Sequence, residues 1–415
     1  MKRSWVLALL LSAALAGSIV AWNGIRQERE FRRLIVLGDD SLARDQTSLA
    51  IEAFSGAVAI KPDAMLGYLK RGDTYRRRSE FAAALRDLRQ AAAIDPAATR
   101  PLELVGDVNA SMGHFERAAD DYGRFIALDD RSPRVLYKRA LARYRNGQSA
   151  AAVDSLRQAI AINDRFPEAH HLLGICLGDQ GRAPEAARAL LRAVGLNPAF
   201  AAARADLAGV YFAIGRTREA LEQLEALAAL EPDRPERLVA VGLAYARAGR
   251  PDAAVLALGR AAERHPEAPA VYTALGRVWL DAAETRLDRV ALQKALEALQ
   301  PVASGDTASG EAFALYGRAL FLSGDAAGAS RALLQATSRL PVDAAAFLYL
   351  SAAAERLAQM DTARAARARY ATLAGPAGDA AARVSELIDL QRRLQLSGAG
   401  SSPGPARREA RLPES

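Results

Sequence analysis

The chain has 415 residues, 51% of them hydrophobic and 25% charged, with a formal net charge of +7 and one cysteine, Cys176. A single cysteine excludes an intrachain disulfide framework, and its place inside a helical stretch suits a small buried hydrophobe. The basic excess does not define a nucleic-acid binder. Only five of the 55 basic residues are lysine, and 48 acidic residues are mixed along the same segments, as on a solvated mixed-charge surface.

Lys2 and Arg3 precede an uncharged run from Trp5 to Trp22, long enough for a membrane-crossing helix and flanked by tryptophans as an interfacial belt would be. A cleaved signal peptide is the competing reading, because Ala14-Leu15-Ala16 satisfies the small-residue cleavage rule. Ile19, Val20, Ala21 and Trp22 continue the apolar run past that point and favour an uncleaved anchor. The short basic leader favours export of the chain beyond the run, whereas Arg26, Arg29, Arg32 and Arg33 outnumber Lys2 and Arg3 and count against it. Residues 1–30 are thus expected to form a signal-anchor or signal peptide with a juxtamembrane linker. The expected location is a bacterial inner membrane with the rest of the chain on the periplasmic side; secretion to the periplasm after cleavage near Ala16 is the alternative.

From residue 31 a period of 34 dominates. Pro62, Pro96, Pro198, Pro232 and Pro266 lie 34 residues or whole multiples of 34 apart, and Ala50, Ala84, Ala118, Ala152, Ala186, Ala220 and Ala254 form an unbroken comb. Gly38, Gly72, Gly106, Ala140, Gly174, Ala208, Gly242 and Gly276 make a third comb in phase with both. Each period holds two apolar stretches of helical spacing divided by a turn at Gly113, Gly147, Gly181, Gly215 or Gly249, so the unit is helix, turn, helix. The step from Gly276 to Gly317 is 41, which places seven extra residues near 282–290. A ninth unit resumes with Gly317, Gly324, Ala329, Ala336 and Pro341; a tenth keeps Phe347, Leu350 and Ala363 but neither glycine.

Leu207, Ala208, Tyr211, Gly215, Ala220, Leu224 and Pro232, and again Gly242, Tyr245, Gly249, Ala254, Leu258, Ala261 and Pro266, resemble the signature of the tetratricopeptide repeat (TPR) family. The resemblance implies an all-α, right-handed superhelical solenoid of about ten units over 31–378. At 379–396, Val384, Leu387, Ile388 and Leu394 form an apolar stripe opposite Arg383, Glu386, Asp389, Arg392 and Arg393, which reads as a capping helix for the end of the array. Residues 397–415, rich in Gly, Ser, Pro and Arg, are expected to be disordered.

No nucleotide loop, zinc motif or paired-cysteine site is present. The histidines are His114, His170, His171 and His265, and adjacent residues on a helix diverge by about 100°, so His170 and His171 do not form a metal pair. The pairs Asp39-Asp40, Asp120-Asp121 and Asp129-Asp130 are expected at turns or helix ends. No cofactor, metal or catalytic residue is expected, and the chain reads as a non-enzyme. In the resembling family the first helix of each unit lines the concave groove. That places Lys70, Arg76, Arg77, Arg100, Arg134, Tyr137, Lys138, Tyr144, Arg145 and His171 in an early, basic groove suited to acidic or extended protein segments, tempered by Asp73, Glu103 and Asp107. The later groove, with Ala205, Gly209, Val239, Leu243 and Ala274, reads as bland. The expected function is a membrane-attached protein-protein interaction scaffold of an envelope assembly or secretion complex, with no nucleic-acid partner. A peptide- or acidic-polymer-binding accessory subunit of an envelope enzyme and a cytoplasm-facing adaptor are the alternatives.

Overall fold

The computed structural model describes residues 2–305, 308–339, 341, 343–374 and 379–397, with the side chains of 2–17 and 19–21 excepted. Among the described residues there are 21 helices and no strand: α1 (Lys2–Ala43), α2 (Thr47–Ile60), α3 (Met65–Arg77), α4 (Phe81–Ile94), α5 (Thr99–Ser111), α6 (Phe115–Leu128), α7 (Pro133–Arg145), α8 (Ser149–Ile162), α9 (Pro167–Asp179), α10 (Ala183–Leu196), α11 (Ala201–Ala213), α12 (Thr217–Leu230), α13 (Pro235–Arg247), α14 (Pro251–Arg264), α15 (Pro269–Arg286), α16 (Arg289–Ser304), α17 (Gly310–Ser323), α18 (Ala326–Thr337), α19 (Ala344–Arg356), α20 (Met360–Ala374) and α21 (Ala380–Leu396). They divide into two compact bodies, Met1–Val210 and Tyr211–Ser415. Within each body, odd and even helices pair as antiparallel neighbours and each pair packs on the next.

The sequence combs have separate physical roles. All seven alanines of the Ala50–Ala254 comb are 0% exposed, so the second helix of each unit presents a methyl where the first crosses it. The facing glycine lets a large side chain seat on the backbone: a Cβ on Gly174 would stand 2.5 Å from Leu190 Cγ, and one on Gly106 2.6 Å from Tyr122 Cε1. The tenth unit has Ser351 at this crossing, wholly buried, with its hydroxyl donating to the Ala363 carbonyl at 3.1 Å.

A further set of glycines makes the turns. Gly113, Gly147, Gly181, Gly215, Gly249 and Gly324 all have positive φ, where a missing Cβ relieves the clash that L-residues suffer. Asp45, Ser79, Leu287 and Ala358 occupy the corresponding place in the first, second, eighth and tenth units with φ of 52 to 60°. The residue after each turn position then returns its N–H to the carbonyl five residues back, as Arg182 does to Leu177 at 2.9 Å and Gln359 to Ala354 at 2.8 Å. This bond satisfies carbonyls that a helix end leaves open. Proline at the start of α7, α9, α13 and α15 occupies a position whose N–H has no helical partner.

The eighth unit carries the extra residues inside its helices. Its α15 has 18 residues and α16 has 16, against 13 and 14 in α13 and α14. Asp288 caps α16 by accepting from the Val290 and Ala291 amides at 2.8 and 3.2 Å.

The N-terminal backbone is helical from Lys2, continuous with the first unit. Among the described residues no helix is long and apolar enough to cross a membrane. Apart from Ser18 and Trp22, the side chains of the run from Trp5 to Trp22 lie outside the described part of the structure, and so does the tail from 398 to 415.

If crossing distance governs the stack, Gly174→Ala will destabilise the chain by about 1–3 kcal/mol through overpacking against Leu190. Gly259→Ala, in mid-helix with nothing within 4 Å of the new methyl, will stabilise it by about 0.5–1 kcal/mol. Thermal melts of the two variants beside the parent check both signs.

Candidate functional site

The first helices of the body ending at Val210 carry all ten residues that the sequence places in the groove, and the structure sets most of the cations among them against carboxylates. Glu103 on α5 is the centre. Its side chain is 1% exposed, yet it accepts from Arg100 Nη1 at 2.7 Å, from Arg134 Nη1 and, at 2.9 Å, Arg134 Nη2, and from Lys138 Nζ at 2.7 Å. Lys138 also donates to both oxygens of Asp107, at 2.7 and 2.9 Å. The Tyr122 hydroxyl donates to Asp107 Oδ1 at 2.7 Å. Three cations share two carboxylates, so the node holds one positive charge in excess. Arg134 and Arg100 remain 57% and 51% exposed above the buried acid, accessible to a ligand.

Burial by itself raises the Glu103 carboxyl, but hydrogen bonds from Arg134 and Lys138 outweigh it and hold the group down to about 2. Burial and the adjacent Asp107 charge push the Tyr122 hydroxyl far above its ordinary value, so it stays a donor.

The remaining residues are spread over the same face. Lys70 on α3 reaches back to Asp39 on α1 at 2.8 and 3.0 Å. Arg76 and Arg77 close on Asp73 of their own helix at 2.7 and 3.5 Å. The register explains the difference. Lys70 lies 31 residues after Asp39 and Lys138 31 after Asp107, while the residue 31 after Asp73 is Leu104, so that acid turns to its own helix. His171 meets Asp206 at 2.6 Å and sets its ring edge-on to Phe200. Tyr137 and Tyr144 are half-buried against the cluster of α7, α8 and α9, the Tyr137 ring 5.2 Å from Phe166. Burial raises the pKa of both, assisted at Tyr144 by a hydrogen bond to Asp179. Arg145 is exposed, with its guanidinium 5.6 Å from the Phe115 ring centre.

Arg100, Arg134 and Lys138 are therefore brought together, Tyr137 and Tyr144 serve packing as much as display, and Lys70, Arg76, Arg77 and His171 stand apart. The part played by Glu103 as the common acceptor is legible only through cross-unit offsets, since Arg134 follows it by 31 residues and Lys138 by 35. One of the Asp pairs sits differently from the expectation of turns and helix ends. Asp120 and Asp121 lie inside α6, where Asn109 donates to Asp121 at 2.7 Å, whereas Asp39 and Asp40 lie near the end of α1.

The later first helices are less bland than their sequence. On α15, α17 and α19, Arg318 donates to Glu284 at 2.6 Å, Tyr349 donates to the same acid at 3.0 Å, and Arg277 pairs with Glu311. These groups adjoin a cavity of about 460 Å³ lined by Arg277, Asp281, Glu311, Arg318 and Tyr349. Val239, Leu243 and Ala274 line a larger cavity of about 940 Å³ with Tyr272 and Trp279. Cys176 is fully buried, and burial pushes its thiol up to about 11. Among the described residues no cluster of His, Cys, Asp or Glu is arranged to hold a metal.

Helix pairs of 34 residues, closed by left-handed turns and crossing through small residues, define a helical-repeat interaction scaffold. Models of the tetratricopeptide repeat match residues 106–170, 177–241 and 235–278, so the chain carries tetratricopeptide repeats over those residues. No curated protein sequence matches it. Among solved structures, the C-terminal part of a TPR repeat-containing protein from Cytophaga hutchinsonii is 17% identical, with a TM-score of 0.51 over 59% of this chain and 99% of that one. YrrB, described as a TPR protein with an unusual peptide-binding site, is 22% identical, with a TM-score of 0.41 over 46% and 98%. MamA is 24% identical, with a TM-score of 0.39 over 40% and 92%. At these identities the likeness is one of fold.

Glu103→Gln will lower the melting temperature at neutral pH by leaving Arg100, Arg134 and Lys138 without their shared charge. A carboxyl held below its unfolded value contributes stability that is present above about pH 4.5 and lost as the pH falls through about 2. The deficit of the variant relative to the parent should therefore close across that interval, as acid-range melts of both proteins would record.

Proposed function

We propose that this chain is a non-catalytic scaffold, attached to the membrane through residues 5–22, that organises a bacterial envelope assembly or secretion complex by binding protein segments along its first-helix face. The observation that carries the binding reading is the excess positive charge at Glu103. Arg100 and Arg134 are held in place by a buried acid while still exposed, so little side-chain entropy remains to be lost when a partner carboxylate arrives. The same fixed cations favour acidic, extended peptide segments and support the second reading, an accessory subunit that holds a peptide or an acidic polymer for an envelope enzyme. Membrane attachment and the envelope setting rest on the Trp5–Trp22 run.

Removing both Arg134 and Lys138 would strip the buried acid of two of its three partners, so the test spares them. Arg100→Gln with Arg145→Gln removes the excess charge and leaves Glu103 and Asp107 matched by Arg134 and Lys138. The double variant should melt close to the parent. With a proximity label fused at Ser415 in the native host, envelope proteins should be recovered by the parent and depleted from the variant. Identical protein sets would move the binding face elsewhere, and a purely cytoplasmic set would reverse the orientation.

The anchor has its own test. In alkaline carbonate extraction the full chain should stay with the membrane pellet, and a chain lacking residues 1–22 should enter the supernatant. A full chain released by carbonate would end the anchored reading.

A further inference from the structure

The C-terminal helix α21 does more than cover the end of the array. It touches its sequence neighbour α20 and also packs on α17 and α19, the first helices of the ninth and tenth units. Gln391 is 1% exposed; its amide donates to the Phe321 carbonyl on α17 at 2.6 Å and accepts from Arg356 Nη2 of α19 at 2.9 Å. Beyond the helix, the Ser397 hydroxyl proton is shared between the Leu394 carbonyl of its own helix at 2.8 Å and, at 3.0 Å, the carbonyl of Leu287, the left-handed residue that ends α15. The chain thus turns back across the first helices of the ninth and tenth units, the same kind of face that is proposed for recognition around Glu103.

Its hold there is weak beside that of α17 and α19, the helices it lies on. Seventeen residues of α21 bury only Val384, Gln391 and Leu394, whereas the thirteen of α19 bury eight. Val384 and Leu394 join the core cluster that contains Phe321, but the residue buried between them on the stripe is an amide. A buried polar group in an apolar seam fixes register at a cost in stability, and an element with few buried apolar contacts opens at the low end of the free-energy scale.

We propose that α21 is a resident, displaceable ligand. The first-helix seat on the ninth and tenth units recognises an amphipathic helix of a partner protein, one with an apolar stripe interrupted by a single amide that meets Arg356 and the Phe321 carbonyl, and α21 occupies that seat until such a helix replaces it. The inference rests on the first helices being the recognition face, but its test uses only this chain's own helix and is independent of whether the Glu103 node binds anything.

The probe is a labelled peptide with the sequence of residues 379–397. Two full-length proteins are compared, the parent and a Val384→Asp, Leu394→Asp variant that releases α21, with circular dichroism and melting curves confirming the array. The released variant should bind the peptide at least about tenfold more tightly than the parent, and Gln391→Leu in the peptide should abolish the gain. In the parent, hydrogen exchange should show α21 amides opening together about a hundredfold faster than those of α17 and α19. Equal protection of α21 and α19, a released variant whose array unfolds, or a folded released variant that ignores the peptide would each overturn the proposal and leave α21 an integral part of the fold.

Discussion

Everything in this molecule depends on how closely two helices can cross. A hydrogen or methyl at the crossing brings the helices of one unit near enough that Leu88, Leu190 or Leu258 can seat directly on the opposite backbone. With that distance fixed, the left-handed turn closes, the pair becomes a rigid block, and successive blocks offer one another matching surfaces. The large core side chains fill space that the small residues create, which is why the buried set alternates between alanine and leucine.

The same geometry governs the polar chemistry. Equivalent first-helix positions recur at one spacing, so a carboxylate on one unit meets a cation on the next whenever the sequence offers both. Asp39 with Lys70 and Asp107 with Lys138 follow that rule, and Asp73, which has Leu104 at the partner position, shows what happens when the cation is missing. Ion pairing between units is thus part of the stacking. A candidate binding residue has to be judged by the charge left over after stacking, and at Glu103 that remainder is a single positive charge shared by Arg100, Arg134 and Lys138.

Periodicity made the helices, turns and crossings legible in the sequence, because each comb reports a steric requirement that only one or two residue types satisfy. The site was legible only in part. The positions of Arg134 and Lys138 on the first helix follow from the register, but their common acceptor lies on another unit and is buried beneath them. The cluster of Arg318, Glu284 and Tyr349 escaped because the lengthened eighth unit shifts the register between its partners. The path of α21 was not legible either. An amphipathic stripe shows that a helix packs, and the choice of α17 and α19 as its bed depends on Gln391 finding a helix-end carbonyl and a guanidinium 70 and 35 residues away.

The turns also assign an order of failure to the array. From the third unit to the seventh, glycine occupies the left-handed position, while Asp45, Ser79, Leu287 and Ala358 hold it in the first, second, eighth and tenth. An L-residue in that conformation costs on the order of 1 kcal/mol where glycine costs almost nothing. In a chain whose repeats gain stability chiefly from their neighbours, the strained units are the natural points at which fraying begins, and the all-glycine stretch is the segment from which refolding spreads most easily.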